Sequence, residues 1–214
     1  MTCTAALAQS WVSYLGGCKM KRRTFIQQIG AGIAVMGAGP AFAQDSKMPD
    51  YNMPEEFLPR EVKISNKLEP YEIHVDPGQH ALYWTLPDRM AIRYAVGIGR
   101  VGLYESGEFY VGAKKEWPSW TPTLDMIKRN PGAYAKHAGG MSGGLHNPLG
   151  SRGLYLFQPG KGDTFLRVHG TNLPNTIGKR VSNGCARLIN DQMIELYDRV
   201  PMNSRVVLHP TSVT

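Results

Sequence analysis

The chain has 214 residues, of which 42% are hydrophobic and 19% are charged, and this composition fits one globular domain and excludes a disordered or collagen-like chain. Its 24 Lys and Arg residues outnumber its 17 Asp and Glu residues, and the formal charge of +7 would suit a polyanion or a membrane surface. Residues 1–43 hold four of the basic residues and no acidic one, so the chain from Gln44 carries 20 basic and 17 acidic residues, a formal +3. We therefore expect no nucleic-acid partner.

Residues 1–43 have the pattern of an export signal. The basic Lys21-Arg22-Arg23 precedes the small apolar stretch Ile29–Ala43, which ends in Ala41-Phe42-Ala43 like a signal cleavage site. The stretch is shorter than the roughly 20 apolar residues that cross a bilayer. Arg22-Arg23-Thr24-Phe25-Ile26 resembles the twin-arginine export signal, and a start at Met20 would give a cleaner leader. The pattern predicts export and cleavage after Ala43.

The rest of the chain has the pattern of a mainly β domain with short helices. Residues 44–70 are rich in Pro and charge, without periodicity, and are interpreted as an N-terminal arm or linker. A single domain is predicted over 71–210, with turn residues Pro77-Gly78 near its start. Strands are predicted around Ile73 and Val75 and at Ala81–Leu86, Ile92–Ile98, Phe109–Ala113, Gly153–Phe157, Thr164–Val168 and Arg205–His209. Helices are predicted at Thr121–Asn130, with Pro122 in its first turn, and from Asn190, which would cap the second.

Two glycine-rich segments do not indicate a nucleotide cofactor. Gly97–Gly102 fits G-x-G-x-x-G after a strand, but another strand pattern follows it, so no helix N-terminus is expected to hold a pyrophosphate. The run Gly139–Gly153 lacks the G-K-[ST] ending of a phosphate-binding loop and is interpreted as a loop beside a site. The histidines show no zinc-binding spacing, so neither a metal nor another cofactor is expected.

Cys185 is the one cysteine outside the predicted leader, which contains Cys3 and Cys18. It has no internal disulfide partner, and an exported domain with one thiol either buries it as a small hydrophobe or uses it as a nucleophile. His169 ends a predicted strand, sixteen positions before Cys185. His146 precedes Asn147-Pro148-Leu149-Gly150 near the end of the glycine-rich loop and is a further candidate to face the site.

The residues around Cys185 suit acyl transfer. An imidazole such as His169 can take the thiol proton, giving a thiolate and an imidazolium, and can later protonate a leaving amine. Backbone N–H groups of Asn183-Gly184-Cys185 are candidates to stabilise the oxyanion, and Gly184 would let the turn approach a substrate. Arg187 either holds a substrate carboxylate or braces the turn.

Two motifs together closely resemble the signature of the YkuD family of L,D-transpeptidases. They are His169-Gly170-Thr171-Asn172 and the segment Ser182-Asn183-Gly184-Cys185-Ala186-Arg187-Leu188. The resemblance covers roughly Glu72 to Pro210. It departs at Asn183, where the family often has His or Arg, and at Ala186, often a larger aliphatic residue.

The resemblance implies a β-sandwich or barrel-like fold and a periplasmic enzyme that acts on peptidoglycan. Cys185 would attack the carbonyl before the terminal D-alanine of a tetrapeptide stem, and His169 would protonate the departing D-alanine. Ser182 and Gly184 would shape the nucleophile turn, and Arg187 would stabilise the pocket or contact the diaminopimelate carboxylate. The carbonyl near Gly170 would orient His169, while Asn183 and His146 are candidates for substrate binding.

The resemblance also implies partners and an inhibitor class. The thioester would pass to an amine of a neighbouring stem, giving a 3-to-3 cross-link, or to an outer-membrane lipoprotein or a free D-amino acid. Family members act without metal or nucleotide, and a monomer that is acylated by carbapenems is expected. A hydrolase on the same scaffold is the main alternative, and a wall-binding module without catalysis is disfavoured because Cys185 and His169 are both present.

Overall fold

A nine-stranded sheet organises the domain, in a computed structural model that describes residues 51–65 and 68–211. The predicted export signal lies outside these residues. Within the described ranges, no helix has both the length and the apolar character needed to cross a membrane.

Eleven strands and three α-helices make up the described part of the chain. The strands are β1 (Arg60–Lys63), β2 (Ile73–Asp76), β3 (Ala81–Leu86), β4 (Met90–Ala95), β5 (Ile98–Gly99), β6 (Gly107–Glu116), β7 (Arg152–Gln158), β8 (Gly162–His169), β9 (Arg180–Ser182), β10 (Ala186–Arg187) and β11 (Arg205–Leu208). The helices are α1 (Leu124–Arg129), α2 (Pro131–Tyr134) and α3 (Asn190–Arg199), with single 3-10 turns at Glu55–Phe57, Pro87–Arg89, Ala135–His137 and Pro174–Thr176.

The sheet curves back on itself through a seam at Gly97. Its strand order is β1-β4-β3-β2-β11-β6-β7-β8-β10, antiparallel except for the pairs β2–β11 and β8–β10. Gly97 follows β4, near one end of this order, and exchanges two backbone hydrogen bonds of 2.8 and 2.9 Å with Arg187 of β10 at the other end. Beside the seam, β5 pairs with β9. The expected barrel-like, mainly β fold is confirmed.

The core lies on the inner face of the curved sheet, because strand side chains alternate between two faces. On β2, β3 and β4 the inner set includes Ile73, Leu82 and Tyr94, all with no solvent exposure. Helix α3 packs against β7 and adds Met193 and Leu196 to this core.

The predicted strands all have counterparts, and the main difference lies at Ile92–Ile98. There the chain leaves the sheet after Ala95 and pairs again as β5, because Gly97 turns to meet Arg187. Strand β1, within the segment interpreted as an arm, pairs with β4 and was not predicted from the sequence.

Both predicted helices are present, but their starts differ from the prediction. Helix α1 begins at Leu124, where the Thr123 hydroxyl accepts the Met126 N–H at 3.2 Å, so Pro122 precedes the helix rather than lying in its first turn. The predicted capping role of Asn190 is wrong. Asn190 is the first residue of α3, and its side-chain oxygen accepts the backbone N–H groups of Ser151 and Thr171 at 2.9 and 3.1 Å.

Replacing Gly97 by alanine tests the seam. A Cβ there would lie 2.8 Å from the Thr176 carbonyl oxygen and 3.3 Å from Arg187 Nη2, so the backbone must shift. We expect the free energy of unfolding to fall by about 1–3 kcal/mol, the usual cost of overpacking, measured by urea denaturation. Gly139→Ala is the control, because its Cβ would meet no atom within 4 Å. Equal urea midpoints for the two variants would contradict the claim that the close contact at Gly97 excludes a side chain.

Candidate active site

The parallel pairing of β8 with β10 brings His169 and Cys185 to one cavity. Arg187 lies opposite His169, and Ala186 lies opposite Val168. Cys185 directly precedes Ala186 in the chain. Successive side chains alternate between faces. Val168 and Ala186 therefore enter the core, whereas Cys185, Arg187 and His169 line the cavity.

The cavity has a volume of about 610 Å³ and is the candidate active site. Its walls come from β8, from the turn before β10 and from the helical segment after Trp120. Besides Cys185, His169 and Arg187, its lining includes Arg100, Glu105, Trp120, Arg129, Tyr134, Leu149, Phe165, Arg167, Asn172, Thr176, Ser182 and Asn183.

His169 is buried, and the backbone fixes its ring. Its Nδ1 lies 2.6 Å from the Gly170 carbonyl oxygen, and a carbonyl only accepts a hydrogen bond, so Nδ1 carries the proton. In the neutral ring, Nε2 is then left with a lone pair that can accept a proton. The side-chain oxygen of Asn190 accepts the N–H of Thr171, the residue after Gly170, and so stabilises the turn that contains the Gly170 carbonyl.

Burial holds both groups in their neutral forms. It is the main reason why the pKa of His169 falls to about 3, and the Arg187 guanidinium lowers this pKa further. Burial also raises the pKa of the Cys185 thiol above its ordinary value of 9.0, against the opposing effect of Arg167 and Arg187. Burial thus favours the neutral thiol and the neutral imidazole, so the proton transfer expected from the sequence would begin from these forms.

Ser182 and Gly184 shape the turn before the nucleophile. The Ser182 hydroxyl donates to the Cys185 carbonyl at 2.6 Å and accepts the Gly184 N–H at 3.2 Å. Gly184 has φ of +123°, and a Cβ there would lie 2.9 Å from the Leu103 carbonyl oxygen. Glycine is thus needed for packing beneath the turn, and the approach of the turn to a substrate stays a prediction.

This turn also decides which N–H groups remain for an oxyanion. Gly184, one of the expected donors, is engaged by Ser182. The Cys185 N–H has no hydrogen-bond partner among residues 51–65 and 68–211. It is the better candidate because it belongs to the nucleophile itself.

Asn183 connects the nucleophile turn to the helical segment at the cavity wall. Its side-chain oxygen accepts from Arg129 of α1 at 3.2 Å, and its amide donates to the Tyr134 hydroxyl of α2 at 3.0 Å. The Trp120 ring contacts the Tyr134 ring edge-on, with centroids 6.3 Å apart. Asn183 therefore positions α1 and α2 over the cavity, a role that its motif position did not indicate.

The Arg187 guanidinium has one nitrogen engaged and another unpaired among the described residues. Its Nη2 donates to the Thr176 hydroxyl at 3.0 Å, whereas its Nε is buried without a partner among the described residues. Burial lowers the pKa of Arg187, although arginine remains protonated. The contact with Thr176 supports the bracing role, and the carboxylate-binding role stays a prediction.

The cavity lining is strongly cationic. Arg100, Arg129, Arg167 and Arg187 line it, against one carboxylate, Glu105. Arg167 is the partly neutralised member, because two nitrogens lie 2.6 and 2.8 Å from the Asp163 carboxylate and its guanidinium stacks 3.9 Å from the Tyr155 ring centre. Such a lining favours an anionic substrate.

Phe165 is a cavity residue that the sequence reasoning missed. Its φ of +61° is rare for a residue other than glycine and cannot be deduced from the strand pattern. Its carbonyl lies 3.9 Å from Cys185 Sγ, where it accepts a weak S–H hydrogen bond. Its ring is 70% exposed. Backbone strain of this kind concentrates at functional sites.

Two of the predicted binding residues do not line the cavity. His146 is exposed, and its part nearest the site is its carbonyl, which accepts from the Asn172 amide at 2.9 Å. Gly170 acts only through its carbonyl on His169. The glycine-rich loop does reach the cavity, through Pro148 and Leu149. Across the described ranges, no group of three His, Cys, Asp or Glu side chains is arranged to hold a metal ion.

Comparison with known families places residues 70–208 in the sequence model of the YkuD, or L,D-transpeptidase catalytic domain, family. This match covers more than half of the chain. The chain belongs to the L,D-transpeptidase catalytic domain family.

Several relatives of this L,D-transpeptidase domain carry the family name. "Probable L,D-transpeptidase ErfK/SrfK" of Escherichia coli is 33% identical over 141 residues, which are 63% of this chain and 42% of that protein. The Bacillus subtilis protein YqjB, whose name also assigns it to the L,D-transpeptidases, is 32% identical over 141 residues, 65% of this chain and 71% of its own. This chain thus spans less than half the length of the Escherichia coli relative.

A solved structure from Brucella melitensis is also similar, with 44% identity and a TM-score of 0.50 over 70% of this chain and 91% of that chain. That protein is described as a probable carnitine operon oxidoreductase. In this L,D-transpeptidase domain, the segment Gly97–Gly102 leads into a turn and then into β6, without the helix that a dinucleotide site requires.

The pH dependence of Cys185 alkylation tests the protonation state of the site. Since burial raises the thiol pKa, the thiolate fraction increases only as pH rises through that raised value. We expect iodoacetamide to modify Cys185 slowly between about pH 5 and 8 and faster above about pH 9, as followed by peptide mass spectrometry. N-acetylcysteine is the control. A fast plateau in the acidic range would show a thiolate–imidazolium pair and contradict this account.

Proposed function

We propose that the chain is an exported peptidoglycan L,D-transpeptidase with Cys185 as its nucleophile. One observation carries the proposal: the Cys185 thiol and the His169 ring, oriented by the Gly170 carbonyl, line the same cationic cavity. The substrate would be a tetrapeptide stem, and the bond cleaved would be the one before its terminal D-alanine. Membership of the family supports this substrate class.

The neutral pair sets the order of proton transfers. As Cys185 Sγ attacks the substrate carbonyl carbon, its proton passes to Nε2 of His169, and the imidazolium forms only during this step. The tetrahedral intermediate collapses to a thioester, and the same proton moves to the nitrogen of D-alanine, which leaves as a free amine. His169 is then neutral again and can take a proton from the attacking acceptor.

Two groups of the chain suit the charges on the substrate. The backbone N–H of Cys185 belongs to the nucleophilic residue itself and would stabilise the oxyanion. The unpaired Nε–H of Arg187 would donate to a carboxylate or carbonyl oxygen of the stem, which would satisfy a buried donor. The remaining arginines of the lining would attract the acidic stem as a whole.

The acceptor decides the product. An amine of a neighbouring stem would give a 3-to-3 cross-link, and a lipoprotein amine would give an attached lipoprotein. Water would give a carboxypeptidase with identical catalytic residues. We favour transfer because the relatives of this domain carry the transpeptidase name. The leader pattern supports a periplasmic location, where peptidoglycan lies, and action as a monomer is our expectation.

A redox function like the one assigned to the Brucella melitensis protein has no support in the site. The glycine segment Gly97–Gly102 forms the seam and a turn. Its backbone is therefore engaged with Arg187 instead of opening a helix for a pyrophosphate.

Mass spectrometry of muropeptides tests the proposal. Disaccharide-tetrapeptide incubated with the protein should lose D-alanine and form a 3-to-3 dimer, and Cys185→Ala should form none. His169→Gln should slow the reaction by roughly 10²- to 10⁴-fold, the usual contribution of a general base.

His146→Gln is the matched control, because His146 is exposed and does not line the cavity, so its rate should equal that of the unmodified protein. Tripeptide monomer without dimer would identify the hydrolase instead. A turnover that persists in Cys185→Ala would overturn the proposed nucleophile.

A further inference from the structure

A second cavity, of about 630 Å³, lies on the outer face of the sheet and shares no lining residue with the candidate active site. It spans four neighbouring strands. Arg60 of β1 lies opposite Arg93 of β4, Arg93 opposite Tyr83 of β3, and Tyr83 opposite His74 of β2. Residues directly opposite one another share a face. These four side chains therefore form a row across the sheet, and all of them line the cavity.

The two arginines of this row make no ion pair with any carboxylate in the described part of the chain. Like charges at directly opposed positions destabilise a sheet unless something compensates them. Arg60 donates to the Glu56 carbonyl, and Arg93 reaches the Gln79 carbonyl only at 3.4 Å. The Nη1 atom of Arg93 is buried and has no hydrogen-bond partner among the described residues.

The acidic residues nearest the cavity are already engaged. The Asp76 carboxylate accepts the N–H groups of Gly78 and Gln79 and the Gln79 amide, at 2.8 to 3.1 Å. Glu72 lies 3.1 Å from His74 Nε2 and 2.9 Å from Arg205 Nη1. Neither carboxylate makes an ion pair with Arg60 or Arg93.

The net positive charge of the cavity lining favours a ligand with two negative charges. Arg60, Arg93 and Lys63 line the cavity together with one carboxylate, Asp76, so two positive charges remain when the histidines are neutral. Planar guanidinium groups match phosphate oxygens through paired hydrogen bonds. The apolar side chains of Val62, Ile64 and Leu68 form another part of the wall and suit an organic group attached to the phosphate.

We infer that this cavity binds a phosphomonoester dianion between Arg60 and Arg93. The phosphate would provide an acceptor for Arg93 Nη1 and would compensate the two opposed arginines. The same chemistry can come from a free phosphorylated metabolite or from a phosphomonoester lipid headgroup. The site is independent of the proposed transpeptidase reaction.

Titration calorimetry on the full chain at constant ionic strength tests the inference, with inorganic phosphate and glycerol 3-phosphate as probes. Both should bind, with sodium chloride as the salt control. Arg93→Gln and Arg60→Gln should each weaken binding by about tenfold or more, the effect of losing a charged hydrogen bond. Arg89→Gln is the matched control, because Arg89 is an exposed arginine in the turn between β3 and β4 and does not line the cavity. It should bind as the unmodified protein does.

Vesicles of phosphatidylcholine containing phosphatidic acid distinguish the two sources, since co-sedimentation lost in Arg93→Gln would assign a lipid headgroup. Binding of glycerol 3-phosphate without co-sedimentation would assign a free phosphomonoester. Arg93→Lys keeps the charge and should bind with intermediate affinity, which separates charge from folding. Equal affinity in all variants, or no binding of either probe, would overturn the site. Muropeptide turnover should be the same in Arg93→Gln as in the unmodified protein.

Discussion

The two-residue parallel pairing of β8 with β10 is the constraint on which the candidate active site depends. It places Arg187 opposite His169 and sends every second side chain of both strands into the cavity. A slip of one residue would turn the cavity-lining residues of β10 into the core. The pairing is short, and β10 is also held on its other edge, where Gly97 and Arg187 exchange two backbone hydrogen bonds. The seam that closes the sheet and the register that aligns the catalytic pair are therefore the same feature.

Burial gives this site its chemistry. Burial lowers the pKa of His169 to about 3 and raises that of Cys185, so it favours the neutral form of each group. The Gly170 carbonyl nevertheless keeps the ring in the tautomer whose Nε2 can take a proton. His169 can therefore take the thiol proton as the Cys185 sulfur attacks the carbonyl carbon of a bound substrate. The cationic lining favours acidic ligands, and the buried, unpaired Nε of Arg187 marks where one acceptor would be held.

Much of this site could be predicted from the sequence, because its central residues lie in two short motifs. His169, Cys185, Ser182 and Arg187 were named from those motifs, and all four line the cavity. Other contributions arise only from the tertiary structure. The backbone of Phe165 is rare for its residue type, and Asn190 acts on Ser151 and Thr171, which are distant in sequence. The pKa shifts of His169 and Cys185 could not be predicted for the same reason, since burial is not visible in the spacing of a thiol and an imidazole. The mainly β fold was predictable because strand alternation is local, whereas the interruption at Gly97 depends on a partner ninety positions away.

The central claim is that His169 acts as the base for Cys185 within one cavity, and carbapenem acylation followed by mass spectrometry of the intact protein tests it most directly. We expect a single covalent adduct on the unmodified chain, none on Cys185→Ala, and acylation of His169→Gln at a rate lower by a factor of at least roughly 10². An adduct on Cys185→Ala, or equal rates for His169→Gln and the unmodified protein, would contradict it.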